Sequence, residues 1–311
     1  MFRELIEKAD SIERNIRTRA AQGADSGEIQ ALRIQRARAL GSCTAPTAND
    51  CVYLARRIDR PHFGDFIDAL FTDFFEQKGD HLYDDDPAIR GGVARFHGMP
   101  VSIVGHQKGH SLQENVACNF GMPKPEGYRK ALRIMEQAEK FHRPIITFVD
   151  TPGAFPGKDA EEHGQGEAIA RNLAAMSRFH VPVICVVTGE GNSGGALAIG
   201  VANRILMMEY AVYSVLSPEG FASILWKDSS RAGEAAAMMR LTSLDLLKAG
   251  VADEVIPEPL GGAQENPRAA FAGLDVALDK NLSALMQLSP EELRNDRYRK
   301  FREIGCGDLS F

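Results

Sequence analysis

The sequence predicts an α/β protein built on a largely parallel, buried β-sheet. Apolar runs of strand length, such as residues 181–188, alternate with amphipathic helical segments through the middle of the chain. Glycine concentrates where predicted strands end, and nine of the 29 glycines lie between Gly153 and Gly200. The composition, 44% hydrophobic and 25% charged, is ordinary for a globular protein.

Charge and cysteine content exclude several classes of protein. The formal net charge of -6 argues against non-specific nucleic-acid binding, which requires a basic surface. No apolar run approaches the ~18 residues of a membrane span, and the charged N-terminal segment does not have the pattern of a secretory signal. Five scattered cysteines without a C-x-x-C pair argue against a zinc ribbon. We therefore expect a cytoplasmic protein that binds neither membrane nor specific nucleic acid.

The N-terminal part of the chain is predicted to contain two helical segments, with a loop over residues 41–49 after the first, and then a β-hairpin. Residues 1 to about 40 carry apolar side chains at helical spacing, and residues 64–76 form a second amphipathic pattern. Residues 92–97 and 100–105 resemble two strands joined by a short turn at Gly98, which predicts a hairpin.

From residue 126 onwards, predicted helices and strands alternate, and the tail is helical. The later predicted strands are residues 144–149, 181–188, 204–208, 211–215 and 251–256. The later predicted helices are residues 126–141, 161–178, 218–228, 231–240 and 242–249, followed by two helices within 266–303. This alternation is typical of a parallel sheet covered by helices. The pattern leaves open whether the helical ends pack on their own core or on another chain.

Two glycine-rich loops, residues 151–157 and 189–195, connect predicted strands to helices. In a parallel sheet the ligand crevice lies at the carboxyl ends of the strands. Glycine lets the backbone approach a ligand closely, and the N–H groups at a helix N-terminus bind negative oxygen. Tight turns alone would account for one such loop, but two loops at adjacent strand ends favour a ligand site.

The second loop has three interpretations. A GxGxxG pattern begins at Gly189, but only ~2 helical turns fit before the next strand, too few for a dinucleotide-binding crossover. A nucleophile elbow at Ser193 would need a later histidine, and all eight histidines precede that serine. The third interpretation is that the backbone N–H groups of Gly194 and Gly195 hold a developing oxyanion.

Several long strings in the chain match a known family. They are GHQKG at 105–109, NFGMP at 119–123, PEGYRKALR at 125–133, PIITFVDTPGAFPG at 144–157, GQGEAIARNL at 164–173, SGGALAIG at 193–200, SPEGFASILWK at 217–227 and IPEPLGGA at 256–263. Over roughly residues 50–265 the sequence resembles the alpha subunit of the bacterial acetyl-coenzyme A carboxylase carboxyltransferase.

The resemblance implies a fold and a set of partners. The fold would be crotonase-like (ClpP/crotonase), built from repeated β-β-α units. It would consist of an N-terminal helical arm over 1–60, the carboxyltransferase domain over 61–265 and a C-terminal helical arm over 266–311. In the family the alpha subunit pairs with a beta subunit, usually as α2β2, and beta carries a zinc ribbon and most of the coenzyme A site. A biotin carboxyl carrier protein and a biotin carboxylase complete the wider complex.

The implied reaction moves a carboxyl group from carboxybiotin, on the separate carrier protein, to acetyl-coenzyme A. The product is malonyl-coenzyme A, in the committed step of fatty acid synthesis. Negative charge develops on the biotin ureido oxygen and on the thioester oxygen, so two oxyanion holes are expected, with the ureido nitrogen as base. By resemblance, the N–H groups of Gly194 and Gly195 serve the biotin side. The residues implied to line the carboxybiotin pocket are Gly153, Ala154, Phe155 and Pro156.

The chain departs from the family pattern at a few positions. Asn192 stands where we expect glycine, and His163 and His81 stand where we expect arginine. We expect Asn192 to alter the oxyanion loop, because asparagine tolerates positive φ. Two alternatives therefore stay open. Beside the carboxyltransferase subunit that the resemblance implies, these are a catalytically altered homologue that serves as a structural partner and a stand-alone crotonase-type enzyme acting on another acyl thioester.

Overall fold

The structure is a computed structural model that describes residues 2–43 and 45–306. Its strands are β1 (Thr72–Glu76), β2 (Ile89–Phe96), β3 (Met99–His106), β4 (Ile145–Thr151), β5 (Val183–Asn192), β6 (Arg204–Met208), β7 (Val212–Ser214) and β8 (Glu254–Ile256). Its α-helices are α1 (Phe2–Ala21), α2 (Ser26–Gly41), α3 (Ala48–Ala55), α4 (Phe63–Leu70), α5 (Leu112–Ala117), α6 (Pro125–Lys140), α7 (Lys158–Glu162), α8 (Gln165–Met176), α9 (Ser193–Leu197), α10 (Pro218–Trp226), α11 (Ala232–Met239), α12 (Ser243–Lys248), α13 (Pro267–Leu285) and α14 (Pro290–Glu303).

All eight strands belong to one mixed sheet. Strands β1, β2 and β3 are antiparallel, and Gly98, with φ of +81°, makes the predicted turn between β2 and β3. From β3 onwards the order is β3-β4-β5-β6-β8 and every pairing is parallel, while β7 pairs with the end of β5. The carboxyl ends of β3, β4 and β5 therefore lie side by side at one edge of the sheet.

The central strands are covered on both faces. Every residue of β4 and of β5 is buried, which explains why these segments are near-continuous apolar runs without alternation. Helices α4, α6, α8, α13 and α14 all contribute side chains to the same apolar core. Helix α6 begins with a proline, whose fixed φ suits the first helical position. This helix is amphipathic and buries one face.

The N-terminal region is a helical hairpin, where the sequence suggested continuous helix to about residue 40. The chain reverses at Gly23, which has φ of +78°, and α1 then packs along α2. The apolar face of α1 is buried, and Phe2 and Ile6 join a second apolar cluster with α3 and β7. The C-terminal helices α13 and α14 also pack on this chain's own core. None of the described helices has the length and hydropathy of a membrane span.

One predicted helix is wrong in its second half. The amphipathic pattern over 64–76 predicted helix throughout, but α4 ends at Leu70 and Thr72–Glu76 forms the edge strand β1. Asp73, at φ of +53°, makes an irregularity in the pairing of β1 with β2. The phenylalanines of this segment fit a helical period, but the hydrogen bonds that β2 offers at the open edge of the sheet outweigh that local preference.

Two boundaries around the site also differ from the prediction. The helix predicted over 161–178 is divided into α7 and α8 at Gly164, which has φ of +84°. Strand β5 continues to Asn192, four residues beyond the predicted end, because its last residues pair with β7. The second glycine-rich segment is therefore mostly strand, and the turn into α9 is abrupt.

Candidate functional site

The two glycine-rich segments meet at the carboxyl ends of β4 and β5. Near these ends Thr151 pairs with Gly191. At Gly195 a Cβ atom would lie 2.5 Å from the backbone nitrogen of Ala154 and 2.6 Å from the carbonyl carbon of Gly153. Only glycine permits this approach, because real Cβ contacts do not fall below 3.0 Å. The structure thus brings the two predicted site segments into direct contact.

The turn from β5 into α9 leaves the first N–H groups of the helix without a side-chain cap. Asn192 is the N-cap residue, but its amide donates to Glu190 Oε2 at 3.2 Å and accepts from Ser214 Oγ at 2.9 Å. The first N–H groups of a helix also have no intrahelical acceptor. The N–H groups of Gly194 and Gly195 lie in this first turn and are suited to bind a negatively charged oxygen.

The expectation that Asn192 distorts this loop through a positive φ is wrong. Asn192 is extended, with φ of -119°, and the exposed Ser193 takes the left-handed conformation with φ of +60°. The strand-to-helix turn is thus sharp at Ser193, as in a nucleophile elbow, although no histidine follows it in the chain. The sequence did not indicate the bridge that the Asn192 side chain makes between β5 and β7.

The segment from Gly153 to Pro156 is held in place by hydrogen bonds from neighbouring elements. The N–H of Gly153 donates to Thr151 Oγ1 at 3.0 Å, and the N–H of Phe155 donates to the carbonyl of Pro123 at 2.9 Å. Buried Gln165 donates to the carbonyls of both Pro123 and Phe155. Ala154 and Phe155 are half-buried and Pro156 is exposed, so a fixed and largely apolar wall faces outward.

A buried ion-pair network lies beneath the two loops. The Nζ atom of Lys108 lies 2.8 Å from Asp150 Oδ1 and 2.9 Å from Glu190 Oε1. Arg56 contacts the other Glu190 oxygen at 2.8 Å and also forms an ion pair with Glu219 on α10. Burial by itself lowers the pKa of Lys108, but the two carboxylates more than offset it and the pKa is raised. Lys108 is therefore charged at neutral pH.

Three basic residues close together in the chain at the end of β3, His106, Lys108 and His110, have different environments in the structure. Lys108 belongs to the buried network, whereas His110 is exposed and pairs with Asp65 at 2.9 Å. His106 is 1% exposed, and its ring lies beside the backbone of Phe148 and Gly195 without a hydrogen bond of good geometry at either ring nitrogen. Burial lowers the pKa of His106 to about 4, so the ring is neutral at physiological pH.

The histidines that replace expected arginines make their described side-chain contacts outside the two glycine-rich loops. The Nδ1 atom of His163 lies 2.8 Å from Glu126 Oε1 at the start of α6, and its ring packs on Tyr83 at 4.0 Å between centroids. His81 is exposed and has φ of +60°. Neither residue contacts the Gly153–Pro156 segment through a described hydrogen bond or ion pair.

A cavity of about 230 Å³ opens beside the first loop. Its walls include Arg56, His62, Lys108, Phe120 and Pro152. Lys108 also borders a larger cleft of about 580 Å³. Within residues 2–43 and 45–306, no group of three or more histidine, cysteine, aspartate or glutamate side chains is arranged to hold a metal ion.

Comparison with known sequences gives one consistent family. Residues 2–305 match the family described as acetyl co-enzyme A carboxylase carboxyltransferase-like. An acetyl-coenzyme A carboxylase carboxyl transferase subunit alpha from Bacillus velezensis is 57% identical over 256 residues, covering 82% of this chain and 79% of that protein. The protein of the same name from Halalkalibacterium halodurans is 54% identical over 254 residues, covering 82% and 78%.

Solved structures show the same fold at low sequence identity. A Pseudomonas malonate decarboxylase hetero-tetramer in complex with coenzyme A has a chain with a TM-score of 0.60 and 17% identity, covering 78% of this chain and 92% of that one. Transcarboxylase 12S, solved with methylmalonyl-coenzyme A and methylmalonic acid, gives a TM-score of 0.58 and 21% identity over 76% of this chain. This chain spans 44% of the transcarboxylase chain. The expected crotonase-like α/β fold with helical arms is confirmed.

Proposed function

The chain belongs to the alpha-subunit family of the acetyl-coenzyme A carboxylase carboxyltransferase, and from that membership we propose that it forms the biotin side of a carboxyltransferase active site. The carboxyl donor is carboxybiotin on a separate carrier protein, and the acceptor is acetyl-coenzyme A. The product, malonyl-coenzyme A, is used in fatty acid synthesis. Solved relatives of the fold with coenzyme A or methylmalonyl-coenzyme A bound support an acyl-coenzyme A substrate.

The contact between Gly195 and the Gly153–Ala154 backbone carries this proposal. It places the first turn of α9 directly against the segment proposed as the carboxybiotin pocket, formed by Gly153, Ala154, Phe155 and Pro156. When carboxybiotin gives up its carboxyl group, negative charge develops on the ureido oxygen. The N–H groups of Gly194 and Gly195 stabilise that charge, and such a donor contributes on the order of 10²–10³ in rate in other enzymes.

The fixed backbone of the pocket segment suits this role. An oxyanion hole is effective when its donors are already positioned before charge develops. Here Gln165 and the carbonyl of Pro123 hold the segment from one side, and Gly195 holds it from the other. The apolar wall formed by Ala154, Phe155 and Pro156 suits a hydrocarbon ring system, and the backbone supplies the polar contacts.

A beta subunit completes the site in this proposal. Val215, directly after β7, is an exposed apolar residue, and so are Ile224 and Leu225 on α10, which begins three residues later. Exposed apolar groups of this kind mark protein interfaces when they lie together. We propose an α2β2 assembly in the cytoplasm in which beta holds the zinc and most of coenzyme A. The biotin carboxyl carrier protein and biotin carboxylase act with it.

The test is carboxyl transfer by the chain mixed with a beta subunit, carboxylated carrier protein and acetyl-coenzyme A. Gly195→Ala should lower the rate of malonyl-coenzyme A formation at least a hundredfold, since the new Cβ forces the loops apart. Complex formation, measured by gel filtration, should persist. Gly166→Ala is the matched control, because a Cβ there would meet no atom within 4 Å apart from its chain neighbours and the backbone of its own helix, and it should keep the wild-type rate.

The same assay separates the alternatives. Full transfer by Gly195→Ala would refute the oxyanion role of this loop. A wild-type complex that assembles but forms no malonyl-coenzyme A would support a purely structural subunit. Turnover of an acyl thioester without any beta subunit would support a stand-alone enzyme.

A further inference from the structure

We infer that Lys108 is a positioning residue for carboxyl transfer, because its ammonium group joins the ends of β4 and β5 and so sets the spacing of the two glycine loops. The inference rests on the proposed function, in which those loops form the biotin side of the site. Lys108 itself lies beneath the loops and acts on the reaction through the backbone of its neighbours.

The geometry links three adjacent strands through one atom. Lys108 follows the end of β3 by two residues, Asp150 is the penultimate residue of β4, and Glu190 lies two residues before the end of β5. Lys108 Nζ contacts both carboxylates, and Asp150 Oδ1 also accepts the backbone N–H of Glu190 at 3.2 Å. The lysine side chain is only 11% exposed, and the two carboxylates are buried. Water therefore has little access to these bonds.

Charge makes this bridge necessary. Two buried carboxylates side by side repel each other, and one would take up a proton or move away without a neighbouring cation. Arg56 satisfies the second oxygen of Glu190, and His62 lies 3.4 Å from the second oxygen of Asp150. Among the described ion pairs, Lys108 is the group that contacts both carboxylates.

The spacing that Lys108 holds is tight at both loops. A Cβ on Gly189 would lie 2.4 Å from Asp150 Oδ1, just as one on Gly195 would lie 2.5 Å from the nitrogen of Ala154. Both strand ends are thus tightly packed, and a shift of one loop moves the other. A misplacement of about 1 Å at reacting groups lowers rates on the order of 10²-fold.

The experiment uses the chain in complex with its beta subunit, carboxylated carrier protein and acetyl-coenzyme A. Lys108→Met should lower kcat about a hundredfold per intact complex and change the KM for acetyl-coenzyme A by less than about threefold. Lys300→Met is the matched control. Lys300 is similarly buried, at 9% exposed, and pairs with Asp253, whose carboxylate binds the N–H of Ile205 near the start of β6. The Lys300→Met variant should keep the wild-type kcat.

Two further variants distinguish positioning from simple charge balance. Lys108→Arg keeps a cation that can bond to both carboxylates, and its kcat should be at least tenfold higher than that of Lys108→Met. The double variant Lys108→Met with Glu190→Gln removes the buried repulsion without restoring the bridge, so its stability should recover while kcat stays low.

Two results would overturn the inference. The first is a wild-type kcat in the double variant, since charge balance alone would then suffice. The second is a Lys108→Met enzyme indistinguishable from Lys300→Met while the wild-type complex is active. An inactive wild-type complex is a different result, because it would refute the proposed function itself.

Discussion

The imidazole of His106 is buried at the end of β3, beside the backbone of Phe148 and Gly195. Burial lowers its pKa from 6.5 to about 4, although the nearby Asp150 carboxylate opposes that shift. As pH falls below 6.5, the unfolded chain takes up a proton at this position while the folded chain does not. This group therefore lowers the free energy of unfolding as the pH decreases from about 6.5 to 4.

His106→Leu should remove that pH dependence. Between pH 7 and pH 4.5 the wild-type chain should lose about 2 kcal/mol more stability than the variant, from 1.36 kcal/mol per pKa unit. Burial raises the pKa of Asp86 to about 6, so this carboxyl group stabilises the folded chain as the pH decreases. The wild-type chain and the variant share that contribution, and it cancels in the comparison. Urea denaturation of each chain at the two pH values measures the difference. Parallel pH profiles would contradict the assignment.

At the scale of single residues, the sequence singled out the glycines of the two loops but not the charged side chains beside them. Gly153 and Gly195 could be identified because a glycine-rich turn directly after a buried strand is typical of a ligand-binding loop. Lys108 could not be separated from His106 and His110, because its partners Asp150 and Glu190 come from distant strands. The Asn192 side-chain bonds depend in the same way on Ser214 of β7, and the sequence around Asn192 does not indicate that β7 pairs with β5.

Among the elements, the N-terminal helix α1 shows how an arm is fixed to the core. Its five buried residues lie on one face at helical spacing, as the sequence predicted. Ile6 is completely buried within the second apolar cluster, together with α3 and β7. Helix α2 buries only Ala39, so the apolar contacts that hold this hairpin to the core come mainly from α1.

Ile6→Ala should lower the free energy of unfolding by about 2–4 kcal/mol, since it leaves a cavity in that cluster. Ile34→Ala on α2 is the matched control, because Ile34 is 46% exposed and its truncation should change stability by less than about 0.5 kcal/mol. Chemical denaturation measures both. Equal losses of stability in Ile6→Ala and Ile34→Ala would show that the packing of Ile6 does not hold α1 to the core.

Two strand boundaries differ from those that the sequence predicted. Thr72–Glu76 forms a strand only because β2 leaves an open edge for it, and residues 189–192 are extended only because β7 pairs with them. The formation of both strand segments depends on hydrogen bonds to segments elsewhere in the chain. Local apolar periodicity carries no information about such partners.

In the whole molecule, a buried arginine of the C-terminal helix α14 binds backbone carbonyls around the start of the main sheet. The guanidinium of Arg297 donates to the carbonyls of Met176, Phe179 and Val181 and to the side chain of Asn203. These acceptors lie at the end of α8 and near the starts of β5 and β6. The last helix is thus part of the same folded unit, while the division at residues 60/61 and 265/266 stays a prediction.

Arg297→Met should lower the free energy of unfolding by about 3 kcal/mol, since it keeps the apolar stem but leaves buried carbonyls unpaired. Arg294→Met, on the same helix, removes an exposed arginine that lies 3.9 Å from Glu291, and it should have little effect. A single cooperative transition for both variants is expected in thermal unfolding. Separate melting of α14 in the wild-type chain would contradict its place in the core.

The sequence by itself determined the α/β class, the carboxyltransferase family and the two glycine-rich segments. These properties follow from local periodicity, from long ordered strings and from backbone conformations that glycine alone adopts readily. The tertiary structure decided that Gly195 contacts Ala154, that Lys108 bridges Asp150 and Glu190, and that Ser193 rather than Asn192 makes the turn. The reason is physical, because each of these features depends on which strand ends become neighbours, and that follows from the packing of the entire sheet.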